Sequence, residues 1–322
     1  MSIISLKGKD LVSILDLNRD TIEHIFKIAK DMEPIVKNRT KSNLLADKIL
    51  GALFFQTSTR TRLSFTSAMQ RLGGSVLGFH TAAECRAGDP EYLESLEDTA
   101  RMVNHYADII VVRHSDNKVP YIFKDVADVP VISGGCGSTS PHASYELGSS
   151  GEHPTQTLLD LYTIYKKRGS LDNLTILCNG SMVSRAYPGL CYSMSMFDNC
   201  RVLLNYPKKI SFPDDFRNRL EELKVNYEII DSLEAHIPEA DVIYVQAMKK
   251  ALGLKVTPDE YVVNKAKLEG KAKENCLVMH PLARTDEVAE DVDNTKYCTY
   301  FEQAWNGLPI RMAVLSMILG KI

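Results

Sequence analysis

The chain of 322 residues contains no apolar run long enough to cross a membrane, and its first residues lack the pattern of a secretion signal. A membrane-spanning helix needs about 18 or more consecutive apolar residues, and a signal peptide has basic residues followed by an apolar stretch. The net charge of −3 provides no overall positive field for nucleic acid. We therefore expect a cytoplasmic protein that binds neither membranes nor nucleic acid.

Residue patterns for metals, redox centres and nucleotides are also missing. The seven cysteines are an odd number, and none has the Cys-x-x-Cys spacing that structural zinc sites favour. Buried free thiols in a reducing compartment explain them more simply. Neither Gly-x-Gly-x-x-Gly nor Gly-x-x-x-x-Gly-Lys-Ser/Thr occurs. We expect no metal and no cofactor.

What is present is an alternation of short apolar runs with longer amphipathic segments, which is typical of parallel α/β folds. The length suits two domains of about 150 residues each. We predict one domain from residues 1–152, completed by a helix at 301–322, and a second from 153–300 that begins with a connecting helix. The Gly- and Ser-rich segment 134–152 is predicted to be a long loop.

The apolar runs predict nine strands and the amphipathic segments predict the main helices. The predicted strands are 49–55, 76–79, 108–113, 129–133, 175–178, 201–205, 227–230, 242–246 and 277–280. The predicted helices include 18–37, one that follows the first strand and stops at Gly73, 94–106, 153–167 and 301–319.

The segment Ser58-Thr59-Arg60-Thr61-Arg62 follows the first strand and opens a helix. Ligands of open α/β sheets bind at the carboxyl ends of strands, and a helix N-terminus attracts anions. Three hydroxyls and two arginines in five residues therefore predict a phosphate cradle. The simpler alternative is a capped, solvated turn, but capping requires only one hydroxyl.

Three further segments bear polar groups at strand or helix ends. Arg113 ends a strand and can bind two oxygens at once; His114 after it suits packing better than catalysis. His153 and Gln156 share a face at the start of the connecting helix, where they suit a carbonyl oxygen and an NH2 group. The fourth segment, 279–284, offers backbone carbonyls at a strand end. As a motif alone, this last segment is weak. Together with the phosphate cradle, the three segments predict a ligand that is doubly anionic at one end and amide-like at the other, as carbamoyl phosphate is.

In this order, Ser-Thr-Arg-Thr-Arg, Arg-His, His-Pro-Thr-Gln and His-Pro-Leu-x-Arg-x-Asp-Glu resemble the aspartate/ornithine carbamoyltransferase family along nearly the whole chain. His280-Pro281-Leu282 and Gln303-Ala304 are closer to its aspartate members. The resemblance implies two parallel α/β domains with the active site in the cleft between them, and a homotrimer or a multiple of one. It also implies carbamoyl transfer from carbamoyl phosphate to an amino acid, with aspartate as the default acceptor in pyrimidine biosynthesis.

The resemblance also implies individual roles. Ser58, Thr59, Arg60 and Thr61 would bind the phosphate. Arg113, His153 and Gln156 would hold the carbamoyl group together with the Leu282 backbone. Arg60, Arg113, His153 and Gln156 would act in catalysis. Arg185, Lys249 and Ala283 would contact the amino acid.

The departures from the family pattern concern the acceptor. Ala247 and Lys249 stand where aspartate enzymes carry an arginine and a glutamine. In the loop 81–93, the position of the family's lysine is taken by Tyr92 or a residue next to it. After Leu282, Ala283 replaces a proline. Losing an arginine that pairs with a carboxylate is not conservative, although Lys249, Lys250 or Arg86 offers a compensating charge. Two alternatives therefore remain: an acceptor less anionic than aspartate, and a noncatalytic paralogue that binds carbamoyl phosphate.

Overall fold

A computed structural model describes residues 5–86, 94–137, 151–210 and 212–322. They form two compact units, each with its own parallel sheet. Unit 1 comprises the described residues of Met1–Gly137, with Gly151–Leu158 and Asn306–Ile322, and unit 2 comprises Leu159–Trp305. The predicted fold of two parallel α/β domains is confirmed, whereas the predicted domain boundaries at residues 152 and 300 stay a prediction.

Unit 1 contains a four-stranded sheet in the order β2-β1-β3-β4. Its strands are β1 (Ile49–Phe54), β2 (Ser75–Phe79), β3 (Ile109–Arg113) and β4 (Val131–Ser133). Its helices are α1 (Arg19–Lys37), α2 (Thr59–Arg71), α3 (Leu96–Asn104) and α4 (Val119–Val126). The helix α5 (Pro154–Arg168) begins in this unit, and the last residues of the chain's final helix belong to it.

The sheet of unit 1 forms because its central strands contain only apolar residues and glycine, apart from Arg113 at the end of β3. Nearly every residue of β1 and β3 is buried, as expected for parallel strands that are covered on both faces. One side packs in a cluster that includes Leu53, Ile110, Val112 and Phe123. The sheet thereby holds the carboxyl ends of β1 and β3 next to each other.

Unit 2 contains a five-stranded parallel sheet in the order β7-β6-β5-β8-β9. Its strands are β5 (Thr175–Asn179), β6 (Arg201–Asn205), β7 (Tyr227–Ile230), β8 (Val242–Val245) and β9 (Leu277–Met279). Its helices are α6 (Tyr187–Ser193), α7 (Asp214–Glu222), α8 (Leu233–His236), α9 (Lys249–Leu252), α10 (Lys265–Leu268) and the first part of α11 (Tyr300–Ile318). Leu177, Leu203, Ile243 and Val278 belong to one buried cluster beside this sheet.

All nine predicted strands are present, with ends within two residues of the prediction. The sequence interpretation missed α4, whose eight residues contain Pro120 in the first turn. Most of the predicted loop 134–152 lies outside the described residues. Within the described ranges, no helix has both the length and the apolar character that a bilayer crossing requires.

Candidate active site

The N-terminus of α2 lacks the side-chain cap that is present at the N-termini of α1 and α3. Asn18 and Ser95 cap α1 and α3 by accepting backbone hydrogen bonds of 2.9 and 3.0 Å. Ser58 occupies the same position before α2 in an extended conformation, but its side chain makes no capping hydrogen bond. The first turn of α2 also contains no acidic residue. The positive end of this helix is thus suited to an external anion.

A cluster of three predicted site residues lies beside this helix end. Thr61 Oγ1 lies 3.1 Å from His153 Nε2 and 3.5 Å from an Arg113 guanidinium nitrogen, which also donates to the Gly134 carbonyl at 3.1 Å. Arg113 ends β3 opposite Phe54 at the end of β1. The strand order turns between these two strands, which is where open sheets bind ligands.

His153 is fixed by the start of α5. Its carbonyl accepts hydrogen bonds from the N–H groups of Gln156 at 2.8 Å and Thr157 at 3.0 Å. The preceding Glu152 accepts bonds from the Ser13 hydroxyl at 2.7 Å and the Ile14 N–H at 3.1 Å. This anchor to the N-terminal segment joins residues 138 or more positions apart, so sequence spacing gave no sign of it.

Gly135 allows the His153 ring its position. A Cβ atom on Gly135 would lie 2.7 Å from His153 Cδ2, and the residue has a φ of 93°, which favours glycine. The sequence interpretation treated this segment only as a loop. A single sequence does not show that Gly135 must be glycine because the His153 ring lies against it.

Other residues predicted to bind carbamoyl phosphate lie on the helices α2 and α5. Arg60 and Thr59 are exposed in the first turn of α2, and Gln156 is half-buried in the first turn of α5. Although the Arg60 residue is exposed as a whole, surrounding atoms partly desolvate its guanidinium group and lower its pKa. An arginine pKa is high enough for the group to stay charged at neutral pH. His114 is engaged elsewhere: its Nδ1 accepts the Asp116 N–H at 2.9 Å, and burial lowers its pKa.

The predicted site residues in unit 2 lie at the carboxyl ends of its strands. Arg185 is half-buried in the turn between β5 and α6, and Lys249 begins α9 after β8. Leu282 and Ala283 follow β9. The strand order turns between β5 and β8, so Arg185 and Lys249 come from the two strands of this sheet where ligands are expected.

Lys249 forms an ion pair with Asp286, with a nitrogen–oxygen distance of 3.1 Å. Desolvation of Asp286 favours its neutral form, but hydrogen bonds from the Thr257 N–H and hydroxyl and from Lys249 outweigh it and hold the pKa of Asp286 well below its usual range. The charge of Lys249 is therefore largely balanced within unit 2.

Two features of unit 2 had no sequence signal. The Ser181 hydroxyl and the Gln246 side-chain nitrogen, at the ends of β5 and β8, are buried without a hydrogen-bond partner among the described residues. A cavity of about 1040 Å³ at the ends of β6 and β7 has both charged and aromatic walls, but none of the predicted site residues lines it. Its walls include Tyr206, Lys208, Phe212, Arg217, Ile229 and Tyr261.

Some of the predicted residues lie outside the described ranges. Tyr92 and the rest of 87–93 lie there, as do 138–150 and the side chain of Lys250. Arg86, at the edge of the described part of its loop, is exposed. In the described ranges, no group of three or more His, Cys, Asp or Glu residues has the arrangement of a metal site.

Both halves of the chain match models of one family. Residues 9–166 match the carbamoyl-phosphate-binding domain of aspartate/ornithine carbamoyltransferases, and residues 186–318 match the aspartate/ornithine-binding domain. The chain belongs to the aspartate/ornithine carbamoyltransferase family.

Relatives within the family are similar over almost their whole length. The aspartate carbamoyltransferase catalytic subunit of Methanobrevibacter smithii is 40% identical over 97% of this chain and 95% of its own. The M. jannaschii aspartate transcarbamoylase catalytic subunit is 34% identical, with a TM-score of 0.81 over 97% of this chain and 98% of its own. The Trypanosoma cruzi enzyme, solved with carbamoyl phosphate and aspartate, is 30% identical, with a TM-score of 0.82 over 98% and 97%.

Proposed function

We propose that this protein transfers the carbamoyl group of carbamoyl phosphate to the amino group of an amino acid, with aspartate as the default acceptor and N-carbamoyl-aspartate as the product. The observation that carries the proposal is the cluster of Thr61, Arg113 and His153 beside the uncapped end of α2. It supplies several hydrogen-bond donors and positive charge to one small region, as a phosphorylated carbonyl compound requires.

The donor is held at both of its ends. Ser58, Thr59, Arg60 and Thr61, with the N-terminus of α2, bind the phosphate dianion. Arg113 and His153 donate to the carbonyl oxygen and stabilise the negative charge that develops there during attack. Gln156 and the Leu282 carbonyl hold the NH2 group.

The reaction then needs only positioning and charge stabilisation. The neutral amine attacks the carbonyl carbon, forming a C–N bond, and the C–O bond to phosphate breaks. The amine loses one proton, which leaves with the phosphate as hydrogen phosphate. Holding the amine and the carbonyl in attack geometry supplies much of the acceleration, and no covalent enzyme intermediate is required.

Aspartate is the default acceptor because relatives that are about 40% identical are aspartate carbamoyltransferases. Arg185 is the group assigned to a carboxylate of the acceptor, and Lys249 and Ala283 border the same region. Product formation from aspartate would place the protein in pyrimidine biosynthesis. We further propose a cytoplasmic homotrimer, or a multiple of one, as the working form.

One observation favours a second candidate, an acceptor less anionic than aspartate. The Lys249 ammonium is already paired with Asp286, and Ala247 carries no charge. Compared with a site that has a free arginine, this region offers less positive charge to a second carboxylate.

An acceptor panel separates the two candidates. Carbamoylated product is measured with aspartate, asparagine, glutamate and ornithine, for the wild type and for Ala247→Arg. Aspartate turnover with the highest kcat/KM supports the default. If an amino acid with a neutral or cationic side chain is preferred and Ala247→Arg raises only the aspartate rate, the second candidate is correct. No product with any amine would refute the transferase proposal.

A further inference from the structure

The turn after β9 contains a buried pair that the proposed mechanism does not use. His280 is 2% exposed and Glu287 is fully buried, and the ring Nε2 lies 2.9 Å from a Glu287 carboxylate oxygen. The other ring nitrogen, Nδ1, accepts the backbone N–H of Leu282 at 2.8 Å. An accepting Nδ1 carries no proton, so the ring is the neutral tautomer whose Nε2–H donates to Glu287.

Glu287 closes the other end of the same turn. Its carboxylate accepts the Thr285 N–H at 2.9 Å and the Thr285 hydroxyl at 2.5 Å. Burial favours the neutral acid, yet hydrogen bonds from His280 and Thr285 lower the pKa of Glu287 to about 2. An ionised carboxylate thus ties His280 to Thr285, on either side of Leu282.

The pair is also anchored to the interior of unit 2. The His280 N–H donates to the Gln303 side-chain oxygen at 2.9 Å, and the Gln303 amide donates to Asp160 at 2.6 Å. The Tyr244 hydroxyl donates to the second Asp160 oxygen at 2.8 Å. Through these bonds the turn is connected to α5, β8 and α11, and fully satisfied buried networks of this kind are rigid.

The rigid frame surrounds a strained residue. Leu282 has a φ of 58°, in the left-handed region that disfavours a bulky side chain. Such residues persist only where the surroundings determine their conformation, and they are concentrated at functional sites. The single backbone N–H of Leu282 donates its hydrogen bond to the His280 ring.

We propose that His280 is a positioning residue for the donor substrate: it fixes the Leu282 backbone so that the Leu282 carbonyl meets the NH2 group of carbamoyl phosphate. The inference rests on the proposed function, since it uses the Leu282 role assigned there. His280 does not touch the substrate, and Glu287 acts through it.

Two variants separate positioning from a general structural role. Asparagine at 280 can still accept the N–H two residues on, as asparagine commonly does in turns, but it loses the contact with Glu287. Glutamine at 280 can still donate to Glu287 but leaves the Leu282 N–H without its acceptor. His280→Asn and His280→Gln each lose one buried hydrogen bond, so their urea midpoints should fall by similar amounts. His236→Asn, outside the turn, is the control.

We expect His280→Asn to keep kcat/KM for carbamoyl phosphate within about tenfold of wild type, and His280→Gln to lose about a hundredfold, the scale of a misplaced reacting group. The KM for the amino acid should change little in either. Similar activities for the two variants, or losses that follow only their urea midpoints, would overturn the proposal. If the wild type forms no product, the proposed function fails. The inference is then tested by calorimetry: His280→Asn should bind carbamoyl phosphate nearly as tightly as the wild type, and His280→Gln should bind it much more weakly.

Discussion

At the residue scale, the cluster of Thr61, Arg113 and His153, which we propose binds carbamoyl phosphate, depends on the register of neighbouring strands. Phe54 lies opposite Arg113 in the pairing of β1 and β3, so the residue that ends β3 lies beside the loop that leads to Thr61. The sequence predicted this because parallel strands share one carboxyl edge. It did not predict which atoms meet, since the 3.1 Å contact between Thr61 and His153 joins residues 92 positions apart.

The positive charge of Arg60 is expected to contribute directly to donor binding. In Arg60→Lys, the charge remains but the planar fork that binds two phosphate oxygens is lost. We expect kcat/KM for carbamoyl phosphate to fall by about a hundredfold, the usual cost of one stabilising donor. Arg71→Lys, at the other end of α2, is the matched control and should change the rate little. Equal rates for wild type and Arg60→Lys would contradict the role of Arg60.

Gly135 provides a test of the His153 position. Gly135→Ala would place a methyl group 2.7 Å from the His153 ring at a φ of 93°, whereas Gly169→Ala has a similar φ of 79° and nothing within 4 Å. Both should lose about 1–2 kcal/mol of unfolding free energy from backbone strain. Only Gly135→Ala should also lose kcat, by tenfold or more. Chemical denaturation and steady-state kinetics measure both; unchanged kcat in Gly135→Ala would show that the ring position is not critical.

At the element scale, the strands were predictable because continuous apolar runs of parallel strands are distinctive. The helix α4 was not, because it is only eight residues long and Pro120 lies in its first turn; short apolar segments do not distinguish helix from strand. The attachment of α5 through Glu152 to Ser13 and Ile14 was also unpredictable, since it depends on tertiary contact alone.

The turn that follows β9 should make stability depend on acid pH. Glu287 has its pKa lowered from an ordinary 4.5 to about 2. A carboxyl group whose pKa is lower in the folded state stabilises the fold, and this stabilisation is complete at pH values above the pKa of the unfolded state. Its contribution should therefore be complete above pH 4.5 and be lost as the pH falls towards 2. Urea unfolding between pH 2 and 6 measures this.

Two variants make that measurement specific. Glu287→Gln should remove part of the fall in stability between pH 4.5 and 2, because its amide does not titrate. Glu274→Gln, whose wild-type side chain is 86% exposed, should leave the wild-type fall unchanged. A pH profile of Glu287→Gln that is identical to that of the wild type would show that the His280–Glu287 pair is not the origin of the effect.

At the scale of the whole molecule, the two halves differ in how far the sequence could specify them. The residues proposed to bind carbamoyl phosphate form short, dense motifs at strand and helix ends, so the sequence alone indicates their chemistry. The proposed acceptor region consists of single residues in separate turns, such as Arg185 and Lys249. Its charge depends on partners such as Asp286, which pairs with Lys249 at 3.1 Å across 37 positions of sequence.

The proposed assembly gives a prediction at this scale. If the working form is the proposed homotrimer or a multiple of it, light scattering coupled to gel filtration should give three times the mass of one chain, or a multiple of that; three copies close into a ring by cyclic symmetry. Exposed apolar side chains such as Leu63 and Met102, which are 50% and 47% exposed, offer surface for contacts between copies. A monomer that is fully active would contradict the proposal of a trimeric working form.

The central claim is that the chain transfers a carbamoyl group from carbamoyl phosphate to an amino acid. Its most direct measurement is NMR of the wild-type protein with ¹³C-labelled carbamoyl phosphate and aspartate, in which a new ureido carbon signal reports C–N bond formation. We expect that signal to grow in proportion to enzyme concentration, and to be abolished or strongly reduced in Arg113→Ala. Breakdown of carbamoyl phosphate at the uncatalysed rate, with no ureido product from aspartate or any other amine, would contradict the account.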